Sequence, residues 1–152
     1  MRLIAVGKLN QDAPEAVLFA RYAARIKPAL ALVELQAGYG SAAEIKRREA
    51  DSLLAALSAQ DFVVALDGGG VAPDSMELAK HLTKWTDSGK KLAFVIGGAE
   101  GLDASVIARA GAKLSLGKLT WPHMLVRPML AEQIYRAQMI TAGHPYHRSG
   151  RP

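Results

Sequence analysis

Five short apolar runs, separated by stretches with helical spacing, constrain this chain more than any other feature. The runs are residues 2 to 6, 31 to 35, 62 to 66, 92 to 96 and 112 to 116. Runs of this length suit strands, and strands that alternate with helices read as βαβ units. The expected fold class is therefore α/β, with a mainly parallel sheet flanked by helices. Phe62-Val63-Val64-Ala65-Leu66 is apolar at consecutive positions, as a strand covered on both faces requires.

The intervening stretches predict five helices. The first spans residues 12 to 27, with Asp12 as N-cap and Glu15 three residues on. Leu18, Phe19, Tyr22, Ala23 and Ile26 form its apolar stripe, and Pro28 ends it. The second spans residues 42 to 57, after the loop Gly38-Tyr39-Gly40-Ser41. Asp74 and Glu77 form a reciprocal cap for the third, which runs to about Thr86. Asp103 caps a short fourth that Gly111 closes, and a long fifth follows Pro122 to about Thr141. With 152 residues, 50% of them hydrophobic, the chain suits one domain over residues 1 to 152 with a proper core.

The chain contains no cysteine, which fits a reducing compartment and leaves no thiolate ligands. Its opening lacks the long apolar stretch of a signal peptide, and no apolar segment approaches the ~20 residues needed to cross a bilayer. A cytoplasmic protein without a membrane partner is expected. The net charge of +5 is unevenly placed. From Ala104 onward seven Lys and Arg residues stand against one acid, Glu132, whereas the residues before carry twelve basic and thirteen acidic groups. A basic C-terminal third points to a polyanionic partner. Lys46-Arg47-Arg48 on the second helix reads as a solvated face, with phosphate contact as the alternative.

Three loops lie at the carboxyl ends of predicted strands: residues 66 to 70, 97 to 101 and 117 to 122. Open α/β sheets bind ligands at that edge, so their convergence would form a crevice walled by main chain. Familiar nucleotide motifs are missing: Gly7-Lys8-Leu9-Asn10 follows the first strand where a dinucleotide fingerprint would begin, and no Gly-Lys-Ser/Thr is present. His144 and His147 lack metal-binding spacing on a helix, and no metal site is expected.

Four motifs combine in order along the last third. They are Ile96-Gly97-Gly98-x-Glu100-Gly101-Leu102, Leu119-Thr120-x-Pro122-His123, Glu132-Gln133-x-Tyr135-Arg136-Ala137 and His144-Pro145-Tyr146-His147-Arg148. As a set they resemble the RlmH family of SPOUT-class methyltransferases, which methylate N3 of a pseudouridine in 23S ribosomal RNA. The resemblance spans essentially the whole chain. It implies a C-terminal deep trefoil knot, an exception to the rule that chains do not thread loops. It also implies S-adenosylmethionine bound bent in the knot, with contacts at Leu66, Gly98, Gly117, Lys118, Leu119, Thr120, Trp121 and Pro122. A homodimer is implied as well, with each active site completed by the partner's C-terminal tail.

Methyl transfer from a sulfonium is an in-line displacement that needs alignment in a dry site and no metal. The nucleophilic nitrogen must also lose its proton. His144 and His147 are the candidate acceptors, Arg127, Arg136 and Arg148 the candidates to stabilise charge on the base, and Tyr146 the candidate to stack on it or bind it. The chain departs from the family at Pro128, where an aliphatic residue is usual. If the last helix begins near Pro122, this proline lies inside it; if it begins near Arg127, the proline sits in its first turn. Residues 149 to 152 extend past the family's usual end and are read as disordered. The alternative functions are a non-catalytic RNA- or ribosome-associated factor that keeps the fold, and an α/β enzyme for a small anionic metabolite.

Overall fold

The structure is a computed structural model that describes residues 1 to 148, and the expectation for residues 149 to 152 lies outside the described residues. The strands are β1 (Arg2–Val6), β2 (Ala31–Leu35), β3 (Asp61–Val71), β4 (Lys91–Ile96) and β5 (Ala112–Leu114). The helices are α1 (Pro14–Ala23), α2 (Ala42–Ala55), α3 (Ser75–Thr86), α4 (Ala104–Arg109) and α5 (His123–Thr141). All five strands pair in parallel, in the order β2-β1-β4-β3-β5. The expected α/β class and alternation of elements are both present.

The strand order explains which helix lies on which face. Steps toward the β2 edge, from β1 to β2 and from β3 to β4, carry α1 and α3. These pack with α5 against Leu3, Ala5, Val64, Phe94 and Ile96. Steps toward the β5 edge carry α2 and α4, which pack against Ile4, Val6, Val63, Ala65, Ala93 and Val95 on the opposite face. A single crossover hand produces this alternation. Neighbouring residues of β1, β3 and β4 thus enter different cores, which accounts for their unbroken apolar runs.

Helix starts follow the expected chemistry where a capping box exists. Asp74 and Glu77 cap α3 reciprocally, and Ser41 and Glu44 do the same for α2. Several expectations are corrected. The strand expected over residues 112 to 116 ends at Leu114, and the side chain of Ser115 bonds the following turn. Asp12 is not the cap of α1: Pro14 begins that helix, so Ala13 holds the N-cap position without a side-chain bond. The ring fixes the helical φ at the first position, and its missing N–H is one of the donors a helix start leaves free anyway. The helix also ends at Ala23, four residues before Lys27. Gly111 is not a left-handed cap for α4 either, since Ala110 ends that helix in an extended conformation. Gly111 instead donates its N–H to Val63 O at 2.9 Å, and an added Cβ would lie 2.8 Å from the Phe62 ring.

The last helix begins at His123, so Pro128 lies in its interior, where an imino nitrogen leaves the carbonyl four residues earlier without its helical donor. The helix nevertheless runs as one element to Thr141. Its first turns are held from outside. Arg127 is fully buried, donating from Nη2 to Val6 O and Gly7 O at 2.7 Å each and from Nη1 to Glu34 at 2.7 Å. Burial lowers the guanidinium's pKa, and Glu34 opposes that shift. Arg127→Met removes the cation, takes the guanidinium donors from the Val6 and Gly7 carbonyls and leaves Glu34 with only the Leu9 N–H, and should cost about 3 kcal/mol of unfolding free energy in chemical denaturation. A variant as stable as the parent would show that the buried cation contributes no net stability.

Candidate active site

The loops of residues 97 to 101 and 117 to 122 converge with the second half of β3 on one cleft of about 300 Å³. Residues 66 to 70, expected as a loop, belong instead to β3, which continues to Val71 with a register shift against β5 between Leu66 and Val71. Leu66, Gly98, Gly117, Lys118, Leu119, Thr120 and Trp121 all line it, together with Asp67, His123 and the apolar side chains of Ile96, Leu114, Leu116 and Val126. Pro122 is not part of the lining; it is the N-cap residue of α5 and sets the helix entry. Gly68, Gly97, Gly98, Gly101 and Gly117 are among the lining residues, and at these positions no side chain stands between the backbone and the opening.

Side chains outside the expected set fix these loops. Ser115, a buried residue, donates from Oγ to Gly117 O at 2.8 Å and so closes the turn after β5. Glu49 of α2, only 4% exposed, accepts from Gly98 N at 3.2 Å and from Gly38 N at 3.0 Å. His123 lines the cleft from α5. Its pKa is lowered, first by burial and then by the charge of Arg127, with Glu49 acting in the opposite sense. The imidazole is consequently neutral near pH 7. Glu49 was legible as an acid on the stripe Ile45, Glu49, Leu53, at four-residue spacing. His123 sat inside a motif but had no visible partner.

The candidate catalytic residues separate into two groups. Arg127 faces inward and is spent on β1 and β2, so it does not reach the cleft, contrary to the expectation that it stabilises the base. Arg136, His144, Tyr146, His147 and Arg148 gather along α5 and the turn that follows it. Glu132 accepts from Arg136 Nη2 at 2.5 Å and from the Tyr146 hydroxyl at 3.0 Å. The Tyr146 ring meets Tyr135 edge-on at 4.9 Å, and Arg136 lies 5.0 Å from its centroid. Burial, with Tyr22 and Glu132 beside it, raises the Tyr146 pKa, so the phenol stays protonated and donates.

Both imidazoles of the tail are turned the same way. Tyr146 N donates to His144 Nδ1 at 3.1 Å, and Arg136 Nη1 lies 3.5 Å from His147 Nδ1. The backbone N–H and the guanidinium donate only, so each Nδ1 accepts and a neutral ring carries its proton on Nε2. None of these tail residues lines the cleft of its own chain. A second hollow of about 490 Å³ opens between α1 and α5, behind the β5 loop, with Leu18, Tyr22, Pro73, Leu116, Pro128 and Met129 in its wall. Pro128 thus borders this hollow rather than the cleft.

A parallel α/β fold with a small glycine-containing cleft at the strand ends fits the architecture of one methyltransferase class. Residues 1–147 match the family described as "Predicted SPOUT methyltransferase". The chain is 59% identical over 152 residues to the ribosomal RNA large subunit methyltransferase H of Acidiphilium cryptum, covering 100% of this chain and 96% of the relative. It is 57% identical over 152 residues to the protein of that name from Gluconacetobacter diazotrophicus, with 100% and 99% covered. The protein of the same name from Rhodospirillum rubrum is 49% identical over 147 residues, with 95% and 96% covered. The chain belongs to the RlmH family of SPOUT methyltransferases. Membership implies the C-terminal trefoil knot. Among the described residues, no helix is long and apolar enough to cross a membrane.

The lowered pKa of His123 has a consequence for stability. Its folded value lies below the unfolded value of about 6.5, so under acid the unfolded chain binds more protons. The contribution of neutral His123 is complete above about pH 6.5 and is lost as pH falls toward and through the folded value. Denaturation midpoints should therefore fall more for the parent than for His123→Gln between about pH 7.5 and about pH 5. Parallel curves would remove His123 as the cause.

Proposed function

We propose that the protein is an S-adenosylmethionine-dependent methyltransferase that methylates N3 of a pseudouridine in 23S ribosomal RNA, working as a homodimer in the cytoplasm. The observation that carries this reading is the single cleft on which seven of the eight carried-over cofactor residues converge. Near-complete coverage of relatives named ribosomal RNA large subunit methyltransferase H supports it independently.

The cleft suits the cofactor on its own chemistry. Leu66, Ile96, Leu114, Leu116 and Val126 offer apolar surface for an adenine ring, while the main chain of the loops after β4 and β5 offers donors and acceptors. A neutral His123 adds no positive charge to a cleft that would hold a sulfonium cation. When bound, S-adenosylmethionine supplies an electrophilic methyl group on that sulfur. The chain's task is then to exclude water and to hold the base nitrogen in line with the methyl.

The tail serves the base. With Nδ1 of His144 and His147 engaged, a neutral ring at either position has Nε2–H left to donate, and Arg136 and Arg148 are donors, so the set is suited to the base's carbonyl oxygens and to the negative charge that follows loss of the N3 proton. Either histidine becomes a proton acceptor at Nε2 only by exchanging its tautomer, which requires its Nδ1 contact to break. Because the tail lies outside the cleft of its own chain, a second copy supplies it. The hollow between α1 and α5, lined by apolar side chains with Glu132 and Gln133 beside them, adjoins the β5 loop and offers the surface for that copy.

Incubation with labelled S-adenosylmethionine and ribosomal particles lacking the modification should place one methyl on the pseudouridine, located by mapping the product. A folded dimer that binds cofactor yet transfers nothing would leave a non-catalytic RNA factor as the function. Deleting residues 144 to 152 should abolish transfer while cofactor affinity, read by calorimetry, stays within about threefold. Equal loss of both would contradict a tail that serves the RNA.

A further inference from the structure

We propose that Glu49 is a positioning residue of the cofactor cleft, its buried carboxylate fixing the glycine turn after β4 so that S-adenosylmethionine meets a preformed wall. The proposal rests on the function proposed above.

Glu49 stands where an apolar residue would normally stand. It is 4% exposed on α2, beside Ala50 at 3% and one helical repeat before Leu53 at 1%, both in the core against β1, β3 and β4. Carboxylates are almost never buried to this degree without a partner. No lysine or arginine forms an ion pair with it among the described residues. Its partners are two main-chain N–H groups from separate loops: Gly38 donates to Oε1 at 3.0 Å and Gly98 to Oε2 at 3.2 Å. Each oxygen is committed to one loop. Helix packing alone would be better served by an aliphatic side chain, so the carboxylate answers to the loops.

The contact with Gly98 is close as well as bonded. A Cβ added there would lie 2.8 Å from both carboxylate oxygens, so the fit depends on glycine. Drawing the Gly98 N–H toward α2 also orients the planar peptide it shares with Gly97, whose carbonyl must point the opposite way. The Gly98 carbonyl is taken by Gly101 N at 3.1 Å. One side chain therefore sets the peptide plane at the start of a turn in which Gly97, Gly98, Ala99 and Gly101 all line the cleft. Without that anchor, ordering the turn would be charged against cofactor binding.

Wild type, Glu49→Gln, Glu49→Ala and Gly98→Ala are compared as full-length proteins by thermal unfolding, calorimetry with S-adenosylmethionine, and methyl transfer at varied cofactor. Glutamine keeps the size but turns an amide N–H₂ toward one of the two N–H donors. Glu49→Gln should melt cooperatively, bind cofactor about tenfold more weakly and raise the cofactor KM in step, with kcat at saturating cofactor within about twofold. Gly98→Ala should weaken binding in the wild-type background and be nearly neutral in Glu49→Ala, where its methyl has room. Cofactor affinity of Glu49→Gln within twofold of wild type overturns the proposal, as does additivity between the two alanine changes. If Glu49→Ala does not fold, the cofactor affinity of Glu49→Gln decides the matter alone. Failure of the wild type to bind S-adenosylmethionine would instead overturn the function on which the proposal rests.

Discussion

The placement of both halves of the candidate active site depends on one buried cation. Arg127 ties the start of α5 to the carboxyl end of β1 through Val6 and Gly7, and to β2 through Glu34. Upstream of it on the same helix, His123 and Val126 form part of the cleft. Downstream, Glu132 and Arg136 hold the tail. Isolated in an apolar interior, such a charge would be strongly unfavourable, and it is tolerated because an anion and two carbonyls meet it. The adjacent Pro128 removes a helical hydrogen bond, a change that costs about 3 kcal/mol in an unsupported helix interior. The external bonds of Arg127 hold the backbone at the position where the helix's own ladder is weakest. The two residues are best understood as a pair.

The parallel sheet supplies the other constraint. Its order places β4 beside both β1 and β3, and β5 outside β3, so the connections leaving β3, β4 and β5 emerge side by side. A crevice between such connections is where open α/β sheets place ligands. The wall here combines apolar side chains with glycine-containing turns that bring peptide groups to the opening. Those groups are only as well placed as the residues that hold them. Ser115 performs this task for the turn after β5 and Glu49 for the turn after β4, one with a hydroxyl and the other with a carboxylate.

Fold class, element order and the cleft loops after β4 and β5 are legible because each has a local signal, whereas the glycines at 68 to 70 suggest a loop where β3 continues to Val71. Apolar runs of strand length report the sheet, and Asp74 with Glu77 reports a helix start. Where a local signal competes with another, the reading slipped: Asp12 had the right chemistry for a cap, but Pro14 dictated where α1 begins. The role of Arg127 was hidden for a different reason. In sequence it is one more basic residue in a basic third, and only the sheet edge brings Glu34, 93 residues away, within bonding distance. The partner of Glu49 is likewise invisible, since Gly98 lies 49 residues away on another element. Helical periodicity reports that an acid faces inward, and only the tertiary structure reports what it meets.

The basic surplus of the C-terminal third also takes on a more definite meaning. Its single acid, Glu132, is consumed internally: Arg136, Tyr146 and Gln133 all donate to it. That arrangement holds the tail along α5 at the expense of the one local anion that might have neutralised other cations. Lys113, Lys118 and Arg148 have no carboxylate within ion-pair distance among the described residues. Lys118 borders the cleft and Arg148 ends the described tail. A phosphate backbone that approaches these positions displaces counterions rather than breaking existing ion pairs. The same glutamate that orders the tail therefore leaves the surrounding surface electrostatically open to RNA.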